Sequence, residues 1–199
     1  MARISLDPPK TLGYRLGSWF SRRRYGVMLD PGAAIGHNMQ VGRSYAIFEL
    51  QMERWHTLDR GLKDLAMTAA AARIRCAWCM DFGFWAATMD HAVPRAKVEA
   101  VPARRDGGLF SRLELLVVAY AEAMTATPPE VTDDLVAELR KQLSEAQLVE
   151  LTAVIAAENM RSRINSALGL TAQGFMERRD QDAAASQVDA AASQVTVRP

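Results

Sequence analysis

The sequence predicts an all-α protein. Apolar residues recur at spacings of three and four along most of the chain, the period of an amphipathic helix. Two Ser-x-x-Glu/Gln patterns, Ser111 to Glu114 and Ser144 to Gln147, stand at the head of such stretches and read as capping boxes. No segment shows the strict alternation of a half-buried strand.

Taken in order, residues 10–29 mix apolar and basic positions at helical spacing, although Gly13 and Gly17 weaken the helix. Asp30-Pro31-Gly32 reads as a break. Over 39–56, Val41, Tyr45, Phe48, Met52 and Trp55 form one apolar stripe. The helix after Leu58-Asp59 turns Leu62, Leu65, Ala66, Ala69 and Ala70 inward, the alanines allowing close approach of a neighbour. Helical character continues past Cys76 towards Met89, with a break expected near Arg73–Arg75. Pro94 and Pro102 mark short connections. Ser111 opens a helix carrying Leu116, Val117, Tyr120 and Met124, and Pro128-Pro129 closes that region. Thr132 caps the next helix, with Asp133 and Asp134 well placed against its dipole. Gly169 is the expected stop of the helix that Ser144 opens.

With 199 residues the chain fits one domain with arms. We divide it into an N-terminal helical arm (1–29), a main domain (30–176) and a tail (177–199). The tail repeats DAAASQV at 182–188 and 189–195 without a coiled-coil seam. Lys and Arg number 24 against 23 Asp and Glu, which lacks the basic excess of a nucleic-acid binder. Arg22-Arg23-Arg24 reads as a solvated helix end. No apolar run reaches the roughly 18 residues of a membrane span. The first residues lack the apolar stretch of a signal peptide. The expectation is a cytoplasmic protein with neither a membrane nor a nucleic-acid partner.

The only two cysteines lie in RCAWCMDFGFW, spaced C-x-x-C as Cys76 and Cys79. The spacing puts both on one side of a helix, so they can simply pack as small apolar residues. Structural zinc wants four Cys or His ligands, and His37, His56 and His91 are scattered. The third reading is redox. A disulfide can close across one turn, a helix start or nearby cation favours the reactive thiolate, and a sulfenic acid condenses with the neighbouring thiol. Cytoplasmic location favours thiol chemistry or a metal over a structural bridge.

Leu58 to Cys79, LDRGLKDLAMTAAAARIRCAWC, resembles the signature of the carboxymuconolactone decarboxylase and alkyl hydroperoxide reductase D-like (AhpD-like) family. Gly36 to Glu49, GHNMQVGRSYAIFE, is similar to that family's lead-in helix. The resemblance implies an all-α domain that assembles as a trimer or hexamer. It also implies a peroxidase without a bound cofactor, restored by a dithiol reductant. It makes Cys79 the thiol that attacks the peroxide and Cys76 the one that resolves it. Asp64 stands where the family's relay glutamate does, one methylene shorter. Trp78 takes the aromatic position inside the motif, and His37 is a candidate for the substrate pocket. The relay histidine, one turn past the second cysteine, is replaced by Gly83, so weakened peroxidase activity is expected, with Arg73, Arg75 or a helix terminus left to acidify the thiol. His91 lies roughly 18 Å further along a continuous helix.

Two other functions fit the sequence. One is a decarboxylase-like lyase on a small organic acid, using Arg161, Arg163 and His37. The other is a non-catalytic helical assembly module. Glu158, Arg161 and Asn165 share one helix face and read as surface ion pairs or as the polar lining of a pocket.

Overall fold

The computed structural model describes residues 2–89, 93–103 and 108–181. His91 and the DAAASQV repeats lie outside them. Every regular element among the described residues is helical, as expected: α1 (Leu12–Tyr25), α2 (Asp30–Ile35), α3 (Met39–Met52), α4 (Arg60–Ile74), α5 (Ala77–Met89), α6 (Arg95–Ala103), α7 (Arg112–Thr125), α8 (Asp133–Arg140) and α9 (Glu145–Ala167). A further short helix spans residues 175–181.

Helix α4 is the centre of the molecule. Asp59 caps it, its side chain accepting from the Leu62 N–H. Leu65, Ala66, Ala69 and Ala70 are buried, and the small side chains bring α4 against α5, α6, α7 and α9. Leu62 is only partly buried at the edge of this core, which Val117, Leu139, Leu151 and Ile155 complete. Both capping boxes form, at Ser111/Glu114 and Ser144/Gln147. Gly169, at φ 69°, follows the end of α9.

Three expectations change, and a fourth element is covered only in part. Asp30-Pro31-Gly32 opens α2 instead of breaking the chain, because proline suits the first turn, whose N–H groups have no intrahelical partner. Pro102 lies inside α6, in its last turn. The apolar stripe of α3 is covered only in part: Val41 is exposed, whereas Tyr45, Phe48, Met52 and Trp55 are half-buried. The face shared by Glu158, Arg161 and Asn165 is turned inward, not to solvent.

A second apolar cluster surrounds the cysteines and is built from the first and last of the described segments. Ala2, Ile4 and Leu6 pack into it from one end, Leu170 and Phe175 from the other. Arg3 fastens the N-terminus, donating to the Ser166 and Ala167 carbonyls at the end of α9, where a cation also meets the negative end of the dipole. Asp81 of α5 accepts from the backbone N–H groups of Gln173, Phe175 and Met176, and so holds the start of the final short helix.

Candidate active site

The break expected near Arg73–Arg75 is present. Arg75 takes the left-handed conformation (φ 63°, ψ 40°) and ends α4, so the chain reverses and α5 begins at Ala77. Cys76 stands at the cap of α5: its carbonyl accepts from Met80 and its sulfur from the Cys79 N–H at 3.2 Å. Both cysteines therefore sit at the positive end of the α5 dipole, where a thiolate is favoured. They are joined as a disulfide, with Cα atoms 5.2 Å apart. Arg73 and Arg75 are exposed at the end of α4.

The two sulfurs are not equivalent. Cys76 is 1% exposed and packed behind Ala34, Ala71 and Leu170. Cys79 borders a cleft of about 2290 Å³ between the α1–α3 arm and the core. Its sulfur accepts from the side-chain amide of Asn165 on α9 at 3.3 Å. The wall beside it is aromatic. Trp78 stacks on Phe82 with ring centroids 4.9 Å apart, Trp85 lies 5.5 Å from Phe82, and Tyr25 meets Phe82 and Trp85 edge-on. The Trp78 indole N–H donates to Gln173, which is fixed in turn to the Met28 carbonyl and the Asp30 N–H. Gly83, one turn past Cys79, also faces the cleft, and a Cβ there would meet nothing within 4 Å.

A buried polar cluster stands at the same cleft. Arg161 of α9 is clasped by Glu49 of α3 through Nε (2.8 Å) and Nη2 (2.5 Å), and reaches Glu158 at 3.4 Å. Glu158 also accepts from Ser162 at 2.7 Å. Burial pulls the Arg161 guanidinium down, but Glu49 and Glu158 outweigh it and hold it firmly charged. Burial pushes the Glu158 carboxyl above its ordinary value, against the opposing pull of Arg161 and Ser162. Tyr45 is raised as well, by burial and by Glu49 beside it.

Of the residues singled out from the sequence, Cys79, Trp78 and Asp64 all border this cleft. Asp64 is buried on α4 and accepts from Arg60 Nε at 3.2 and 3.3 Å. His37 is exposed and bonded to the Ser5 carbonyl at 2.8 Å, outside the cleft lining. Sequence reasoning gave Glu49 no role, placed Tyr45 only in an apolar stripe, and did not join Asn165 to Cys79. One signal was available: Glu158, Ser162 and Asn165 fall at i, i+4 and i+7, which puts three polar side chains on one face of the helix. Among the described residues, no three His, Cys, Asp or Glu side chains are grouped to hold a metal ion. No described helix is long and apolar enough to cross a membrane.

No protein-family model matches the chain. YnjA of Escherichia coli (strain K12), an uncharacterized protein, is 33% identical over 159 residues, which cover 79% of this chain and 87% of YnjA. The chain belongs to the same family as YnjA. Its fold is that of AhpD-like proteins. The alkylhydroperoxidase AhpD core protein of Ralstonia eutropha JMP134, described as an uncharacterized peroxidase-related protein, superposes with a TM-score of 0.73 at 15% identity, over 87% of this chain and 94% of that one. The debrominase Bmp8, as a cysteine-to-alanine variant in complex with 2,3,4-tribromopyrrole, gives 0.76 at 18% identity, over 91% and 99%. A peroxidase-related protein of Silicibacter sp. TM1040 gives 0.73 at 13% identity, over 84% and 90%.

Proposed function

We propose that the protein is a thiol-dependent oxidoreductase that reduces organic hydroperoxides through Cys79 and Cys76. The observation that carries this is the asymmetry of the pair: Cys79 opens on the cleft while Cys76 is sealed behind it, in bonding reach. The Cys79 thiolate attacks the outer peroxide oxygen, giving a sulfenic acid and an alcohol. The Cys76 thiol then displaces water from that sulfenic acid and closes the disulfide. A dithiol reductant of the cytoplasm returns both thiols. The aromatic wall favours a bulky apolar hydroperoxide over hydrogen peroxide.

The organic-acid reading drew on Arg161, Arg163 and His37. Arg161 is committed to Glu49 and Glu158, Arg163 to Asn159 and Thr127, and His37 to the Ser5 carbonyl. These commitments support the thiol reading over it. The aromatic wall does favour one further reading, reductive dehalogenation of an aromatic ring. There the dithiol supplies two electrons, the ring carbon gains hydrogen, and halide leaves as the disulfide closes.

Exposed Leu16, Trp19 and Phe20 of α1, with Ile47 and Leu50 of α3, border the same cleft. We assign that apolar surface to contacts between copies in a trimer or hexamer, which sedimentation of the purified protein measures.

The test of the reaction is direct. Reduced protein is mixed with stoichiometric cumene hydroperoxide and free thiols are followed with time, beside Cys79→Ser and Cys76→Ser. Wild type should lose both thiols, Cys76→Ser should stop at a sulfenic acid, and Cys79→Ser should not react. Wild-type thiols that persist as long as those of a small-molecule thiol would sink the reading.

A further inference from the structure

The peroxide step needs a proton for the oxygen that leaves, and the histidine position of the family motif holds Gly83. We propose that Glu158, acting through the Ser162 hydroxyl, is the proton carrier of the Cys79 site. This inference rests on the peroxidase reading and deepens it.

Glu158, Ser162 and Asn165 lie on one face of α9, and the Asn165 amide reaches the Cys79 sulfur. Ser162 is 0% exposed and its hydroxyl lies 2.7 Å from Glu158 Oε1. Seven residues of helix separate Glu158 from Asn165, a rise of roughly 10 Å, and Ser162 stands one turn beyond Glu158 on the same face, between the carboxyl and the amide that meets Cys79. Glu158, Asn165 and Cys79 all border that cleft. The carboxyl is faced by Arg161 on its own helix and by Glu49 and Tyr45 on α3. From α4, Arg60, Lys63 and Asp64 border the same space, and Cys79 does so from α5. Arg161 is already matched by Glu49, so a second buried carboxylate is one negative charge in excess, and burial favours its protonated form.

The cycle then balances. The ionised fraction of Glu158, which grows as pH rises, takes the Cys79 proton through Ser162. The thiolate attacks the hydroperoxide, the O–O bond breaks, and two electrons pass from sulfur to the leaving oxygen. Glu158 as acid returns the proton to that oxygen, and alcohol departs. Cys76 then closes the disulfide with loss of water.

The experiment uses Cys76→Ser protein, so that Cys79 alone reports, with and without Glu158→Gln. Two reactions are followed from about pH 5 to pH 9: oxidation by cumene hydroperoxide, which needs a proton for its leaving oxygen, and alkylation by iodoacetamide, whose iodide leaves without one. Glu158→Gln should slow the peroxide reaction about 100-fold, the lower bound for lost general acid–base help, and flatten its pH profile, with alkylation kept within about threefold. Ser162→Ala removes the relaying hydroxyl at little cost in volume and should show the same split, so it carries the test if Glu158→Gln does not fold. Peroxide and alkylation rates falling by one common factor, or a peroxide rate within about threefold of the parent, would overturn the inference while leaving the peroxidase reading intact. A parent protein inert to hydroperoxide would overturn both.

Discussion

The amide of Asn165 donates to the sulfur of Cys79 across 3.3 Å, linking two helices whose residues are 86 positions apart. Inside a buried site a donor aimed at sulfur favours the charged thiolate over the thiol. Asn165→Leu should therefore move the pH dependence of Cys79 alkylation in the reduced protein upward and slow the reaction several-fold at neutral pH. An unchanged alkylation profile would remove Asn165 from the site.

Gly83 offers a gain-of-function experiment. Its Cβ position is empty to 4 Å and faces the cleft one turn beyond Cys79. Gly83→His should fit without repacking and speed hydroperoxide reduction about tenfold or more, since positioned imidazoles supply large general acid–base effects. A folded variant with an unaltered rate would show that proton transfer does not limit the wild-type reaction.

Glu158 should leave a mark on stability. Its folded-state carboxyl sits above the ordinary value of 4.5, with burial the main cause. The native state therefore holds that proton more tightly than the unfolded chain. The contribution is complete below the unfolded value and is lost as pH rises through the folded one. From about pH 5 to pH 8 the Tm of wild type should fall more steeply than that of Glu158→Gln. Parallel curves would contradict the assignment.

The Lys63–Glu150 pair behaves in the opposite sense. Lys63 Nζ lies 2.9 Å from Glu150 and 2.6 Å from the Trp55 carbonyl, and Glu150 accepts from the Thr57 N–H at 2.8 Å. Burial raises the Glu150 carboxyl, but its bonds to Lys63 and Thr57 outweigh that and leave it below the ordinary value. Its contribution is present above the unfolded value and is lost as pH falls. Lys63→Met strands a buried carboxylate and should cost about 3–5 kcal/mol in denaturant melts, most of it recovered in Lys63→Met/Glu150→Leu. A loss below about 1 kcal/mol would show the pair to be solvated.

Asp81 tests whether the C-terminal segment shapes the site. Its carboxylate accepts from three backbone N–H groups at the start of the final short helix. Asp81→Ala should cost about 2 kcal/mol or more, since several bonds to a charged group are lost at once. It should also quench or shift Trp78 fluorescence, because Gln173 holds that indole. Unchanged fluorescence would place the effect outside the cleft.

Much of the helical frame was legible because its determinants are local. Ser111, Thr132 and Ser144 cap helices through bonds to backbone groups three residues away. The turn at Arg75 that sets the cysteines at the start of α5 was expected close to where it lies. Pro31 was misjudged because its missing N–H serves a helix start as well as it serves a break. The polar stripe of α9 resembled a solvent face, since a helical pattern records which residues share a side and not what that side meets.

By itself the sequence determined an all-helical chain with a C-x-x-C pair at the start of or within a helix and no histidine one turn on. Only the tertiary structure decided which sulfur meets the cleft, which amide holds it, and that Glu158 is buried beside Arg161. Glu49 clasps that arginine from 112 residues away. Caps and turns are set within a few residues, whereas a site of this kind exists only once distant helices are packed and water is excluded from between them.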